Sequence, residues 1–117
     1  MNKPTKSHDV SDFETQVLAR SREVPVLCDF WAPWCGPCVM FGPLLEKAES
    51  ESGGRWQLAK LNVEELPSIA ARFGITGIPA IKLFHMGAVI AESIGAMGER
   101  DLRAWLDASL PGGETLS

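Results

Sequence analysis

Two cysteines stand two residues apart in Trp34-Cys35-Gly36-Pro37-Cys38, where the sequence changes from strand-like to helix-like. Ahead of them, Val24-Pro25-Val26-Leu27-Cys28-Asp29-Phe30-Trp31-Ala32 is apolar and β-favouring, with no turn residue after Pro25. Behind them, Val39, Met40, Leu44, Leu45 and Ala48 recur at helical spacing. The spacing predicts a strand over 24–31 and a helix from Cys35 to about Ser52, with Cys35 at the junction. At such a junction the unpaired backbone N–H groups and the positive end of the helix dipole favour an anion. A thiolate is stabilised there, and the thiolate is the form that attacks disulfides. Cys38 is close enough to form a disulfide with it. The pair has the layout of a reversible dithiol/disulfide centre. Half a zinc site is the competing reading, but tetrahedral zinc needs four ligands. There is no second CxxC, and His8 and His85 stand alone in a polar tail and a turn. The expected metal complement is none.

A length of 117 residues suits one domain, 1–117, with its ends at about 1–10 and 111–117 weakly ordered. A hydrophobic content of 45% is enough for a core, and a net charge of −4 leaves no basic patch for nucleic acid. The apolar runs are too short and interrupted to span a membrane. The start of the chain, Met1 to His8, shows no apolar signal-peptide region. Three cysteines with one close pair differ from a secreted disulfide scaffold, so a reducing cytoplasm is expected.

Along the chain, Ser11-Asp12-Phe13-Glu14 reads as a capping box opening a helix with Phe13, Val17 and Leu18 inward. The central helix contains Pro43, where a kink is expected, and stops at Gly53-Gly54. A second strand covers Trp56 to Val63. Pro67 opens a helix that Gly74 closes, with Ile69 and Phe73 on its buried face. Ala80–Phe84 and Ala88–Ile94 flank His85-Met86-Gly87 as a hairpin. Leu102, Trp105, Leu106 and Leu110 form the stripe of a last helix, and Trp56 and Trp105 are expected in the core.

Asp29 is the sharpest signal outside the cysteines. A carboxylate within an apolar central strand must be paired, or protonated with a raised pKa. Strand alternation puts Leu27, Asp29 and Trp31 on one face and Cys28 and Phe30 on the other. Cys28 therefore reads as a small buried hydrophobe with a raised pKa, remote from the dithiol.

The segment Asp29-Phe30-Trp31-Ala32-Pro33-Trp34-Cys35-Gly36-Pro37-Cys38 resembles the active-site signature of the thioredoxin family. Ala59 to Val63, Phe73-Gly74-Ile75, Gly77-Ile78-Pro79 and Ile94-Gly95-Ala96 resemble further segments of that family, in its order. The resemblance runs from about Ser11 to Leu110. It implies an α/β thioredoxin fold, a central mixed sheet flanked by helices on both faces. The family's apolar first edge strand corresponds here to polar residues, about Thr5 to Asp9, so that strand is expected short or missing. Trp31 to Trp34 and Ala71 to Ile75 are closer to the subgroup with an N-terminal zinc module, which this sequence lacks.

By resemblance, Cys35 is the nucleophile and Cys38 the resolving thiol of a protein-disulfide reductase. Asp29 matches an aspartate that moves protons to and from the resolving cysteine, and Lys60 matches a lysine close to it. A plain structural pair of Asp29 with Lys60 is the other reading. An X–Pro bond is cis only about one time in twenty, but the family keeps the proline matching Pro79 cis and opposite the dithiol. Trp34, Gly36, Pro37, Ile78, Pro79, Gly95 and Ala96 would form the rim that binds a target, and Trp31 suits rim or core. Val39 replaces the commoner basic residue after the second cysteine. The implied partners are disulfide-containing target proteins and an NADPH-dependent flavoprotein reductase, since the chain carries no nucleotide-binding loop or cofactor signature. A monomer is expected. The alternatives are an oxidant or isomerase, and a thioredoxin-like binding or co-chaperone module.

Overall fold

The computed structural model, which describes residues 8–112, contains one four-stranded sheet in the order β2-β1-β3-β4. The strands are β1 (Val26–Trp31), β2 (Gln57–Asn62), β3 (Ala80–His85) and β4 (Ala88–Ile94). β1 and β2 are parallel, β3 is antiparallel to β1 and to β4. A parallel pair needs a crossover, and α1 (Gly36–Glu51) supplies it. α2 (Pro67–Arg72) joins β2 to β3, and α3 (Glu99–Ser109) follows β4. A π-helix, Glu14–Ala19, running into a 3-10 turn, Arg20–Arg22, precedes β1.

Strand alternation divides the interior into two cores. On one face Leu27, Leu58, Ile81 and Leu83 pack with Phe41 and Leu45 of α1 and Leu102 and Leu106 of α3. On the other, Cys28, Phe30, Ala59 and Phe84 pack with Phe13 and Val17, and with Ile69 and Phe73 from the α2 side. Phe73 stacks edge-on against Phe84 and tilted against Phe13. The mixed sheet with helices on both faces matches the expected architecture.

Several local expectations shift. The N-terminal cap lies one residue late: Asp12 Oδ1 accepts from the Thr15 N–H, and Gln16 Oε1 accepts from the N–H groups of Ser11 and Asp12. Glu14, expected to close the box, pairs instead with Arg72. Residues 8–10 are held rather than frayed: the Val10 N–H donates to the Lys60 carbonyl, the His8 carbonyl accepts from the Lys60 N–H, and Asp9 bridges Lys60 in parallel. That single bridge is the described part of the expected edge strand; its start, residues 5–7, lies outside the described residues, as does most of the predicted C-terminal tail. α1 continues through Pro43 without a break and ends before Gly53 and Gly54, both at positive φ. Its buried face is Cys38, Phe41, Gly42 and Leu45, while Val39 and Met40 turn to solvent. The hairpin loop is Met86-Gly87 alone, both at positive φ as a two-residue turn requires, because His85 pairs with Ala88. Trp56 is buried, whereas Trp105 is only half-buried against the α1–α3 core. Among the described residues no helix is long and apolar enough to cross a membrane.

Candidate active site

β1 ends at Trp31, and the chain turns through Pro33-Trp34 so that Cys35 becomes the N-cap of α1. Its backbone is extended, and its N–H donates to the Ala32 carbonyl at 3.1 Å. Cys35 Sγ accepts from the Cys38 N–H at 3.2 Å, so an otherwise unpaired N–H of the first turn is directed at sulfur. Pro37 occupies that turn, where its missing N–H costs nothing. Cys35 and Cys38 are joined as a disulfide, with Cα atoms 5.2 Å apart. Cys35 is 6% exposed and Cys38 2%, so the expected order of accessibility holds, but Cys35 does not stand open to solvent in this state. Ala32, Trp31, Val63 and Ile78 pack around the pair.

The Ile78 carbonyl lies 3.9 Å from Cys35 Sγ, and the Ile78–Pro79 peptide is cis, as the resemblance implied. The Pro79 carbonyl accepts from the Gly95 N–H at 2.7 Å. Gly95 sits at φ +97°, a conformation suited to glycine, and so brings the end of β4 against the proline. Ala96 meets Gly36 and Pro37 in a shallow apolar depression completed by Met40, Leu44 and Met97. Trp34 is 66% exposed, and its Nε1 donates to Glu64. The expected rim residues thus gather around the disulfide.

Asp29 is 1% exposed, on the α1 face of β1. Neither carboxyl oxygen has a hydrogen-bond partner among the described residues. Burial raises its pKa from 3.8 to about 7; the Lys60 charge opposes that rise and the Glu46 charge adds to it. The structural pair of Asp29 with Lys60 does not form. They are register partners in β1 and β2, yet Lys60 Nζ bonds Glu46 Oε2 at 3.2 Å and lies 5.0 Å from the centre of the Trp31 ring. Cys28, one residue away, faces the opposite core; burial, then the Asp29 charge, pushes its thiol well above the ordinary value.

The family model for thioredoxin matches residues 4–108. The chain belongs to the thioredoxin family. It is 46% identical to the thioredoxin of Acidithiobacillus ferridurans over 103 residues, 86% of this chain and 94% of that protein. It is 39% identical to the thioredoxin of Pseudomonas aeruginosa over 100 residues, 86% of this chain and 91% of that one. The thioredoxin of Haemophilus influenzae is 37% identical over 97 residues, 83% and 89% of the two chains. With the Cys35–Cys38 pair in place, this thioredoxin domain is a dithiol/disulfide oxidoreductase whose substrates are disulfide-containing proteins. The binding-module alternative is not favoured.

Sequence reasoning missed Glu46, Gly42 and Glu64. Cys38, Gly42 and Glu46 follow at four-residue intervals on one stripe of α1, a signal that could have found the second and third. A Cβ at Gly42 would lie 3.3 Å from Lys60 Nζ, so the bare backbone there makes room for the ammonium group. Glu64 carried no such periodic signal, because it reaches Trp34 from the loop after β2.

Proposed function

We propose that Cys35 is the attacking thiol and Cys38 the resolving one in a general protein-disulfide reductase. The Cys35 thiolate attacks one sulfur of a target disulfide. A Cys35–target S–S bond forms, the target disulfide breaks, and the other target sulfur leaves as a thiolate that takes up a proton. Cys38 then gives its proton to the Asp29 carboxylate and attacks Cys35 Sγ. The Cys35–Cys38 bond forms, the Cys35–target bond breaks, and the second target sulfur departs. The dithiol loses two electrons and the target disulfide gains two.

One observation carries this reading: Cys35 caps α1, its Sγ accepting the Cys38 N–H, over a face of the sheet that buries an unpartnered carboxyl. The helix terminus favours Cys35 as thiolate. Asp29, with its pKa near neutrality, suits proton exchange in both directions of the cycle, and Lys60 tempers its charge. Trp34, Gly36, Pro37, Ile78, Pro79, Gly95 and Ala96 would hold an extended target segment, with the Ile78 backbone pairing to it as a short added strand. An NADPH-dependent flavoprotein reductase would return electrons to the disulfide. The chain would work as a single-domain monomer in the cytoplasm. Insulin reduction driven by dithiothreitol, and separately by NADPH with a thioredoxin reductase, tests the proposal. The expected result is turnover that disappears in Cys35→Ser; a C35S protein with full activity would overturn it.

A further inference from the structure

Lys60 has two carboxylates within its range and bonds one of them. Its register partner is Asp29, on the same face of the sheet, while Glu46 approaches from α1. The ammonium group sits with Glu46 Oε2 at 3.2 Å, the Trp31 ring 5.0 Å to one side and the bare Gly42 backbone beneath. Asp29 is left with both oxygens buried and unpartnered. Lys60 is mostly buried and Glu46 half exposed, so their bond lies between the buried interior and solvent.

We propose that Glu46 is a positioning residue for the resolving step: it holds the Lys60 ammonium on its own carboxylate, away from Asp29, and so leaves the Asp29 carboxyl free to exchange a proton with Cys38. The inference rests on the reading of Asp29 as the proton acceptor. A lysine bonded to Asp29 would fix the carboxylate in its charged form and weaken it as a base. A lysine bonded to Glu46 keeps a positive charge near enough to moderate the carboxyl and too far to capture it. The charges acting on Asp29 are Lys60 from β2 and Glu46 from α1. β3 sets apolar Ile81 opposite Asp29, α1 adds the Cys35–Cys38 pair, α3 lines the same face with Leu102 and Leu106, and Cys28 faces the other way.

The test is a double-mutant cycle of Glu46→Gln and Lys60→Met, read by carbon-13 NMR titration of the Asp29 carboxyl in the oxidised protein. A parallel readout is the pH profile of mixed-disulfide resolution in rapid-quench experiments. In the E46Q protein, Lys60 turns to Asp29, and the Asp29 midpoint falls by about 1 on the pH scale. The resolution profile shifts with it. In the K60M background, adding E46Q moves the midpoint much less, because no ammonium group remains to reposition. Equal shifts in the two backgrounds would mean that Glu46 acts by its charge alone, and would overturn the proposal. An unmoved midpoint in E46Q would overturn it too, even if E46Q lowered the melting temperature. Asp29→Asn separates the two layers. If D29N slows resolution while E46Q leaves midpoint and profile unchanged, only the role of Glu46 falls. If D29N resolves as fast as wild type, the proton-acceptor reading falls and takes this proposal with it.

Discussion

Cys28 and Asp29 are neighbours in β1, both buried, and they face opposite cores. The same cause acts on each: burial disfavours the ionised form and raises the pKa. The outcomes differ because the starting points differ. A thiol that ordinarily ionises above neutrality is pushed out of reach and becomes an inert, small hydrophobe. A carboxyl that ordinarily ionises near 3.8 is pushed to about 7, where it can both take and give a proton. Burial thus silences one face of the strand and prepares the other. The Cys28 face is filled by Phe13, Val17, Phe30 and Phe84, whereas the Asp29 face, packed by Leu27, Leu58 and Ile81, also carries the Lys60–Glu46 ion pair.

The largest expected effect lies on the Asp29 side. Its folded pKa exceeds its unfolded value, so the folded protein holds a proton that the unfolded chain has lost between pH 3.8 and about 7. Stability therefore falls as pH rises through that window and levels off above it. The difference corresponds to about 4 kcal/mol. Asp29→Asn removes this dependence: urea melts from pH 4 to pH 8 should show a variant close to wild type at pH 4 and more stable by up to about 4 kcal/mol at pH 8. A D29N protein less stable than wild type at pH 8 would break the contrast between the two faces.

On the Cys28 side the effects are smaller. Cys28→Ser introduces a hydroxyl into an apolar core and should cost about 1–3 kcal/mol in the same melts. Cys28→Val keeps the volume and should cost at most about 1.5 kcal/mol while leaving disulfide reductase activity near wild type. A large loss of activity in C28V would show that the two faces are not independent. The smallest signal is chemical: oxidised native protein should yield one slow thiol that reacts fully only on denaturation. A fast third thiol, or a dimer lost in C28V, would place Cys28 at the surface.

The strand–CxxC–helix junction was legible because a continuous apolar, β-favouring run gives way to helical spacing across Cys35, and strand alternation sorted Cys28 from Asp29 correctly. The cis geometry at Pro79 was not legible from residue preferences and came through resemblance. The sequence left a plain Asp29–Lys60 pair open as the other reading; the competitor that takes Lys60, Glu46, arrives from a helix whose rotation a strand pattern does not report. The Asp12 cap was missed by one residue because Ser11 and Asp12 are both good caps, and it is the Asp12 carboxylate that accepts the Thr15 N–H. Val39 and Met40 read as part of an apolar stripe but are exposed in the first turns of α1.

The central claim is that Cys35 attacks and Cys38 resolves, with Cys28 as a bystander. Trapping the intermediate tests it most directly. Reduced Cys38→Ala protein is mixed with a disulfide-containing target, quenched with acid and mapped by mass spectrometry. The account predicts a stable mixed disulfide on Cys35, with Cys28 unmodified until the protein is denatured. A mixed disulfide carried on Cys28, or no covalent intermediate while C38A still reduces the target, would contradict it.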